Sequence, residues 1–463
     1  MSQNYNSATS ARPMPVRNPN LGSRSVMTKR AWWLVGLNIL MPGSAQAVAG
    51  SRRLGKFGLF FTLLLWLLAI VAIVLWLTAQ TTVIDIATNV IALTIVQVFL
   101  AFYAILWVIL TLDTLRLTKL VKAGPAARVG VALLAIVVMV GVSGVAARGA
   151  FLAGVTRSTI GSVFSSNKQY ADPINGRYNI LLLGGDAGPD RVGLRPDSIS
   201  VASVNAETGQ TTLIGVPRNM QMAPFVKGSP LYGPYPHGYN CGENCLISYL
   251  YTYGQAHPSL YPDAVKDGSQ PGIEATRDAV EGVLGIPIPY YAIVDMAGFS
   301  DLVNALGGIT IDVTQRLPIG GAIDANGQPI NVDQWINPGV QKMNGFTAQW
   351  YARSRHGTSD YDRMERQRQV QAAILAQFQP SIVLSKFEAI ASAGKQIVHT
   401  DIPRSMLGRF VDLANKARRE KVDQLELVPP AVFEPNPNFV EIQQMVADKL
   451  AITPSTSSPR PSP

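Results

Sequence analysis

Three long apolar runs constrain the fold of this chain more than any other feature of its sequence. They cover residues 58–77, 89–110 and 129–147, and no charged side chain occurs within them. A helix needs about 20 residues, at ~1.5 Å per residue, to cross the ~30 Å hydrocarbon layer of a bilayer. Helices buried in a globular core normally keep a polar stripe, which these runs lack. We therefore predict three transmembrane helices within a membrane region at 32–150.

The charged residues that flank these runs predict the orientation of the membrane region. The loop between the first and second runs contains no Lys or Arg. Basic side chains instead precede the first run and follow the second, at Lys29, Arg30, Arg52, Arg53, Lys56, Arg116, Lys119, Lys122 and Arg128. Loops rich in Lys and Arg stay in the cytoplasm. The sequence therefore predicts a disordered cytoplasmic N-terminus at 1–31 and an extracytoplasmic location for everything after the third run.

Residues 32–50 leave the number of spans open. This segment is weakly apolar and is interrupted at Pro42 and Gly43. We expect an interfacial or re-entrant hairpin here. The alternative is a fourth span, which would reverse the predicted topology.

The basic residues of the chain belong to its membrane region. Residues 1–150 contain thirteen Lys and Arg and two Asp, a net +11, so the remainder of a chain with formal charge +9 carries −2. A nucleic-acid-binding domain normally presents a basic face. The charge distribution therefore predicts a lipid bilayer as a partner and no nucleic acid.

A globular domain is predicted at 176–452, after a linker at 151–175 and before a disordered tail at 453–463. Strand candidates lie at 178–185, 198–205, 211–217, 290–296 and 309–314, and helix candidates lie at 273–284, 297–306, 364–378 and 403–416. Strands that alternate with helices are typical of an α/β sheet that is covered on both faces. The predicted fold class of the domain is therefore α/β.

Two aspartates lie at the ends of predicted strands in the segment GGDAGPDRVGLRPDSI. Asp186 ends the first strand and Asp197 lies just before the second, with Arg191 and Arg195 between them. Carboxylates at adjacent strand ends can hold a hard cation such as Mg²⁺. Arg218 follows the third strand. The alternatives are a surface turn rich in Asp, Gly and Pro and, for Arg218, an ordinary surface arginine.

The segment YARSRHGTSDYDRMERQRQV concentrates arginines in a chain with only 15% charged residues. Arg353 and Arg355 are two residues apart, so on an extended segment they would point the same way. Arg363 and Arg366 are three apart on a predicted helix and share a face. The alternative is a solvated helix face. If these groups converge with the other arginines, their natural partner is a polyanion, because guanidinium groups match phosphate oxygens bidentately.

Two further sequence features bear on the chemistry of the domain. Motifs of the form G-x-S-x-G and H-E-x-x-H are missing, and the four histidines are scattered. Arginines, carboxylates and Mg²⁺ together can perform phosphoryl transfer by positioning and charge neutralisation. Cys241 and Cys245 are the only cysteines, and outside the membrane a local disulfide between them is expected. Free thiols and a metal site are the alternatives.

Residues 176 to 450 resemble the LytR-CpsA-Psr family of cell-wall ligases. The resemblance is carried by NILLLGGD, by RPDSI around Asp197, by VPRN, and above all by YARSR followed by SDYDRMERQRQ. The membrane-anchored layout is similar to that of actinobacterial members. The resemblance implies an extracytoplasmic α-β-α sandwich on a multi-pass anchor in the bacterial plasma membrane. It also implies transfer of glycopolymers from undecaprenyl-diphosphate carriers to peptidoglycan through a phosphodiester bond, with Mg²⁺ or Mn²⁺.

The same resemblance assigns expected roles to residues of this chain. Asp186 and Asp197 correspond to the metal-binding aspartates. The expected pyrophosphate-binding set comprises Arg191, Arg195, Arg218, Arg353, Arg355, Arg363, Arg366 and Gln367. The expected catalytic set comprises Asp186, Asp197, Arg218, Arg353, Arg355, Asp360 and Arg363.

Three positions depart from the family pattern. Ala187 stands where the family often has Arg, Asn219 stands where it usually has Asp, and Arg368 stands where Gln is common. These departures leave the general base and the metal shell undetermined. Among the arginines of the last motif, Arg368 is predicted to face solvent.

Two other functions remain compatible with the same residues. A pyrophosphatase would use water as the acceptor at this site, and a sensor would bind polyprenyl phosphates without turnover. The carboxylate pair disfavours the sensor, because phosphate binding needs arginines alone. The sequence does not distinguish teichoic acid, arabinogalactan and capsule as the transferred polymer, and it predicts no oligomeric state.

Overall fold

The computed structural model describes residues 16–79, 82–83, 86–87, 89–164, 171–186, 195–324, 328–354, 358–377 and 398–451. The chain divides into two compact units, Met1–Val155 and Thr156–Pro463. The predicted tail at 453–463 lies outside the described residues.

The first unit is helical. Its elements are α1 (Arg24–Leu40), α2 (Ser44–Ala49), α3 (Arg52–Thr78), α4 (Val90–Thr118) and most of α5 (Pro125–Val163), whose last residues belong to the second unit. Within the described residues, α3, α4 and α5 are long and apolar enough to cross a membrane. The three predicted runs therefore lie inside three helices.

Two segments beside the predicted membrane region are helical, in contrast to the irregular structure expected for them. Because α1 begins at Arg24, residues 24–31 are helical rather than disordered. Residues 151–163, expected to belong to a linker, continue α5. This stretch contains no proline that would interrupt the helical hydrogen bonds.

Residues 32–50 form a helical hairpin that packs against α4. The two helices meet at Gly43, which has φ 96° and lies so close to α3 that a Cβ there would be 2.5 Å from the Leu59 backbone nitrogen. Gln46 is fully buried and donates to the Leu110 carbonyl at 2.7 Å. Asn38 donates to Thr111 at 3.1 Å. A hairpin was predicted for this segment, and these polar contacts fix it to α4.

The second unit contains a mixed six-stranded sheet in the order β11-β4-β1-β2-β3-β12. Its strands are β1 (Arg177–Asp186), β2 (Arg195–Asn205), β3 (Thr211–Val216), β4 (Tyr290–Asp295), β11 (Val398–Thr400) and β12 (Asp423–Glu426). The pairs β1–β4 and β3–β12 are parallel, and the other neighbours are antiparallel. Four of the five predicted strands fall in this sheet.

Helices cover both faces of the sheet. They are α6 (Leu250–Ala256), α7 (Pro271–Leu284), α8 (Met296–Leu306), α9 (Gly345–Arg353), α10 (Asp360–Gln377), α11 (Leu407–Ala417) and α12 (Phe439–Ala451). Leu181 and Leu183 of β1 belong to the core that includes α6, α7 and α12. Tyr178, on the opposite face, packs with α11. The α/β fold class is confirmed.

The fifth predicted strand lies outside the main sheet. Ile309–Val313 forms β5, which pairs antiparallel with β10 (Gly339–Met343) as a separate two-stranded sheet. Buried and exposed residues alternate along β5, as in a strand with one solvated face. Between them lie the short strands β6 (Leu317–Ile319), β7 (Ala322–Ile323), β8 (Pro329–Ile330) and β9 (Gln334–Ile336).

Candidate functional site

Asp197 lies on β2, in a β-bulge opposite the end of β1. Gly184 pairs with Ser198 and Gly185 pairs with Pro196, so Asp197 is the extra residue of β2. A bulge changes the direction of a side chain and is common beside active sites. The Asp197 side chain is 18% exposed and lines a cavity. Neither the bulge nor its effect on Asp197 could be predicted from the strand pattern.

The other predicted residues of this segment are described only in part. Asp186 ends β1, and its backbone pairs with Arg195 at the start of β2. The side chains of Asp186 and Arg195 lie outside the described part of the chain, and so does the whole of Arg191. The register nevertheless brings the Asp186 and Asp197 backbones to one end of two adjacent strands.

Arg218 and Asp360 connect Asp197 to helix α10. Arg218 Nη1 donates to Asp197 Oδ1, and Arg218 Nε lies 3.6 Å from Asp360 Oδ2. Asp360 Oδ2 also lies 3.4 Å from Arg363 Nη2 and accepts from Asn219 Nδ2 at 3.3 Å. Residues from β2, from the loop after β3 and from the start of α10 thus form one arginine–aspartate cluster, which we define as Asp197, Arg218, Asp360 and Arg363.

A reciprocal cap fixes the start of α10. The Ser359 hydroxyl accepts from the Asp362 backbone N–H at 3.1 Å, and Asp362 Oδ2 accepts from the Ser359 backbone N–H at 2.8 Å. The Ser359 backbone N–H and hydroxyl both donate to Asp362 Oδ2, and these two bonds lower the pKa of Asp362. This is a capping box. The Ser-x-x-Asp spacing was a sequence signal for a helix starting at Asp360, rather than at Met364 as predicted from apolar periodicity.

Arg363 and Arg366 are both buried in α10, at 2% and 4% exposure, but their surroundings differ. Arg366 donates to the backbone carbonyls of Tyr351 (3.0 Å) and Ser354 and to the Thr358 hydroxyl (3.1 Å). Burial lowers its pKa. The structure thus places Arg363 in the cluster, whereas Arg366 joins the end of α9 to α10.

The prediction that Arg368 faces solvent is wrong. Its side chain is 2% exposed and forms an ion pair with Glu426 of β12. Gly215 of β3 leaves room for the guanidinium group, since a Cβ there would lie 2.7 Å from Arg368 Cζ. A buried arginine requires a counter-charge, and Glu426 supplies it from a distant part of the chain.

Arg353 is the last residue of α9, so it does not lie on the extended segment assumed for its alignment with Arg355. Arg353 is exposed and lines the same cavity as Asp197. Gln367 also lines this cavity and lies 3.4 Å from the Ala352 carbonyl oxygen. Arg355 lies in 355–357, outside the described residues.

The cavity beside the cluster is mostly apolar. Its volume is about 280 Å³, and it lies between the sheet and helices α8, α9 and α10. The apolar lining includes Leu182, Ala292, Val294, Phe299, Leu302 and Ile374, and polar groups occur at Asp197, Arg353, Gln367 and Gln371. Sequence reasoning missed this cavity, because its wall combines residues from β1, β4 and three helices.

A disulfide supports the loop that carries Arg218. Cys241 and Cys245 are bonded to each other, which confirms the expected local disulfide. Shortly after it, the Ser248 backbone N–H donates to the Arg218 carbonyl at 3.2 Å, and the Ile247 N–H donates to the Met220 carbonyl at 3.0 Å. The segment that follows the disulfide therefore holds the backbone of Arg218.

A second, larger cavity of about 730 Å³ lies at the start of α7. Its lining includes Arg277, whose Nη2 lies 2.5 Å from Asp401 and 3.4 Å from Glu274. These contacts form a buried ion-paired network. No predicted site residue lines this cavity.

The donor set fits a hard divalent cation. Within the described part of the chain, no three His, Cys, Asp or Glu side chains are grouped to hold a metal ion. Mg²⁺, however, commonly binds through one or two carboxylates together with substrate phosphates and water. Asp197 supplies one such carboxylate at the cavity wall, and the backbone of Asp186 ends the adjacent strand.

Comparison with known proteins identifies the family. The model of the LytR_cpsA_psr family matches residues 155–451. The polyisoprenyl-teichoic acid–peptidoglycan teichoic acid transferase TagU of Enterococcus faecalis is 28% identical over 54% of this chain and 70% of that protein. The transferase TagV of Bacillus subtilis is 24% identical over 57% of this chain and 62% of that protein.

Solved structures of similar proteins were also found. The crystal structure of Bacillus subtilis TagV gives a TM-score of 0.41 at 22% identity, covering 63% of this chain and all of that one. TagT bound to LI-WTA gives a TM-score of 0.40 at 20% identity, covering 61% and 94%. Because the family model matches residues 155–451, which is more than half of the chain, this chain belongs to the LytR-CpsA-Psr family.

Proposed function

We propose that this chain transfers a glycopolymer from a polyprenyl-diphosphate-linked donor to peptidoglycan, forming a phosphodiester bond. The observation that carries this proposal is an arginine–aspartate cluster at the edge of an apolar cavity. The proposed donor combines the two matching parts, because it carries a charged diphosphate at one end of a long apolar chain. The similar TagU and TagV proteins are named as transferases of polyisoprenyl-linked teichoic acid to peptidoglycan.

The apolar cavity suits the isoprenoid part of the donor. Burial of each CH₂ group contributes about 0.8 kcal/mol, so a prenyl chain that enters the cavity adds affinity that a free diphosphate lacks. Its wall is formed by Leu182, Ala292 and Phe299, among others. Arg353 lines the same cavity, where it can contact the diphosphate.

The cluster suits the diphosphate. Arg218 and Arg363 supply guanidinium groups that bind phosphate oxygens and neutralise the charge that develops during phosphoryl transfer. Asp186 and Asp197 would hold Mg²⁺, which would supply further charge neutralisation at the diphosphate. Asp360 orients both arginines, since Arg218 and Arg363 each lie within 3.6 Å of its carboxylate.

The reaction joins an acceptor hydroxyl of peptidoglycan to the phosphorus that carries the polymer, and polyprenyl phosphate leaves. The carrier is proposed to be undecaprenyl diphosphate. We also propose that the first unit anchors the domain on the outer side of the bacterial plasma membrane with the N-terminus in the cytoplasm. This arrangement would keep the site close to a donor that is confined to the bilayer.

The test uses the full chain in lipid nanodiscs, a lipid-linked glycopolymer donor with labelled polymer, and purified peptidoglycan. We expect label to become attached to peptidoglycan in the presence of Mg²⁺. Arg363→Ala should abolish transfer, whereas Arg419→Ala, which changes an exposed arginine just after α11, should not.

Three results would contradict the proposal. Release of polymer phosphate at the same rate with and without peptidoglycan would identify a pyrophosphatase. Tight donor binding without turnover would identify a sensor. Full activity in Arg363→Ala would remove the cluster from the reaction.

A further inference from the structure

The larger cavity, of about 730 Å³ at the start of α7, has no role in the function proposed above. It lies on the opposite side of the main sheet from the smaller cavity, as two successive residues of β4 show. Ala292 lines the smaller cavity, whereas the ring of Tyr291 lies 5.5 Å from Cζ of Arg277 in the lining of the larger one. Successive side chains of a strand point to opposite faces of a sheet. The larger cavity is therefore a separate site, and its volume is typical of small-molecule sites.

Hydrogen bonds fix the loop at 261–269, which forms one wall of this cavity. Tyr261 lines the cavity, and its hydroxyl donates to Asp278 Oδ2 of α7 at 2.6 Å. The Tyr291 hydroxyl donates to the Gly268 carbonyl at 3.0 Å. The loop is thus joined both to α7 and to the main sheet, so the fold itself holds the wall of the cavity in place.

The charged groups of the lining carry an excess of negative charge. Among the described residues Arg277 is its one basic side chain, and it is opposed by four carboxylates, those of Asp263, Asp267, Glu274 and Asp401. Lys266 offsets one of them, since its Nζ lies 3.8 Å from Asp263 Oδ1. Arg277 Nη2 is already ion-paired, at 2.5 Å from Asp401 and 3.4 Å from Glu274. A phosphate group that approached Arg277 would therefore be repelled by two carboxylates.

Neither an ammonium group nor a metal ion satisfies the lining. Arg277 is 9% exposed, and among the described residues its Nε has no hydrogen-bond partner. A buried donor of this kind calls for an acceptor, which an ammonium group does not have. Within the part of the chain that the structure describes, no three carboxylates are grouped to hold a metal ion. The lining therefore suits an uncharged ligand whose groups both donate and accept hydrogen bonds.

A saccharide has these properties. Its hydroxyl and acetamido groups both donate and accept hydrogen bonds, and neither group is charged. Glu274, whose side chain is 20% exposed, offers an acceptor for a sugar hydroxyl, and Arg277 offers a donor. The ring of Tyr261 and the side chains of Leu260 and Pro230 add apolar surface for the C–H face of a sugar ring. Such a combination of apolar walls and a few fixed polar groups is characteristic of ligand sites.

We infer that the cavity at the start of α7 binds a neutral saccharide segment of one of the two substrates, either the glycan of peptidoglycan or the transferred polymer. The identity of those substrates rests on the proposed transferase function. Because the cavity and the arginine–aspartate cluster are separate sites, the bound segment holds a long substrate without taking part in the reaction step.

The first test measures binding of soluble probes to the full chain in lipid nanodiscs by calorimetry. The probes are the tetramer of N-acetylglucosamine, its deacetylated form, which is cationic, and an oligomer of glycerol phosphate, which is anionic. We expect the neutral tetramer to bind most tightly and to slow backbone hydrogen exchange at 261–277. Tighter binding of either charged probe, no binding of the neutral tetramer, or protection confined to α9 and α10 would overturn the inference.

Glu274→Ala tests the site directly, with Glu441→Ala as the matched control. Both glutamates lie in the first turn of a helix, α7 for Glu274 and α12 for Glu441, and Glu274 lines the cavity. Glu274→Ala should weaken binding of the neutral tetramer about tenfold or more, the loss expected when a hydroxyl group loses a charged acceptor. Glu441→Ala should match the wild type. Equal affinities of the two variants would overturn the inference, and the hydrogen-exchange test on the wild type applies even if Glu274→Ala does not fold.

Transfer kinetics identify which substrate carries the bound saccharide. A contact that is equally strong in the ground state and the transition state changes KM and leaves kcat unchanged. Glu274→Ala should therefore raise the KM for peptidoglycan if the acceptor glycan binds here, or the KM for the donor if the polymer does. Unchanged KM values for both substrates would overturn the inference. A wild type that binds the tetramer but transfers no polymer would instead refute the proposed function.

Discussion

The ion pair between Arg368 and Glu426 should be the strongest single electrostatic contribution that α10 makes to the stability of its domain. The pair joins the middle of α10 to β12, and the Arg368 side chain is only 2% exposed. Glu426→Gln keeps the shape of the side chain and removes its charge. The guanidinium group then stays buried without its counter-charge, which costs about 3 kcal/mol for a pair of this kind. The value lies at the low end of the range because Glu426 is 25% exposed.

The exposed pair between Asp423 of β12 and Lys449 of α12 offers a matched control. Their charged atoms are 3.9 Å apart, and both side chains are about one-third exposed, at 34% and 36%. Exposed pairs contribute roughly 0–1 kcal/mol. Lys449→Gln should therefore leave the unfolding temperature almost unchanged.

The assay is thermal unfolding of the full chain in detergent, followed by the fluorescence of its tryptophans. A loss of about 3 kcal/mol corresponds to a decrease of about 6 °C or more in Tm, at ~2–4 °C per kcal/mol for larger domains. The double variant Arg368→Met, Glu426→Gln should recover part of that loss, because it leaves no uncompensated buried charge. Equal Tm values for Glu426→Gln and Lys449→Gln would refute the reasoning, and so would a double variant that is less stable than Glu426→Gln.

Three further predictions concern α10 and the proposed metal. Arg366→Ala should lower the free energy of unfolding by roughly 2–4 kcal/mol, because its bonds to Tyr351 and Ser354 are lost. Arg363→Ala should mainly weaken undecaprenyl diphosphate binding. Thermal unfolding and a binding assay separate the two effects. Ser359→Ala should cost about 1 kcal/mol at neutral pH. The Ser359 backbone N–H and, to a smaller extent, its hydroxyl lower the folded-state pKa of Asp362, and the variant loses only the hydroxyl bond. The stabilisation from that bond is present above the unfolded pKa, so the difference between the proteins should shrink as pH falls below about 4. Removal of Mg²⁺ by EDTA should weaken donor binding, and the donor should raise Mg²⁺ affinity by the same factor; equal donor affinity with and without Mg²⁺ would contradict the proposed metal role.

The elements that sequence predicted well are those whose signal is local. The apolar runs identified three helices, and the buried strand at 178–185 is part of β1. The local disulfide follows from two cysteines close together in sequence. Convergence of Arg218 with Arg363 was considered only as a condition, and Asp360 entered the expected set through the resemblance to the family. Local motifs therefore named the residues of the cluster, but not the contacts that join them.

What sequence could not predict depends on partners far along the chain. The spacing of Arg363, Arg366 and Arg368 on a helix does not reveal which face of α10 meets the sheet. That face is decided by Glu426, which is 58 residues from Arg368, and by the backbone of α9. The bulge at Asp197 is a property of the pairing between β1 and β2. Each of these outcomes requires tertiary contacts that no short window of sequence contains.

The cluster combines two carboxylates with two guanidinium groups, so these four side chains carry no net charge among themselves. A single phosphate that replaced Asp197 on Arg218 would exchange one ion pair for another with little net gain. A diphosphate with a divalent cation can engage both the aspartates and the arginines at once. The apolar cavity then adds the burial of a prenyl chain, which inorganic diphosphate does not offer. We therefore propose that selectivity for a lipid-linked diphosphate over other anions comes from the combination of a balanced cluster and an adjoining apolar cavity, rather than from an excess of positive charge in the cluster.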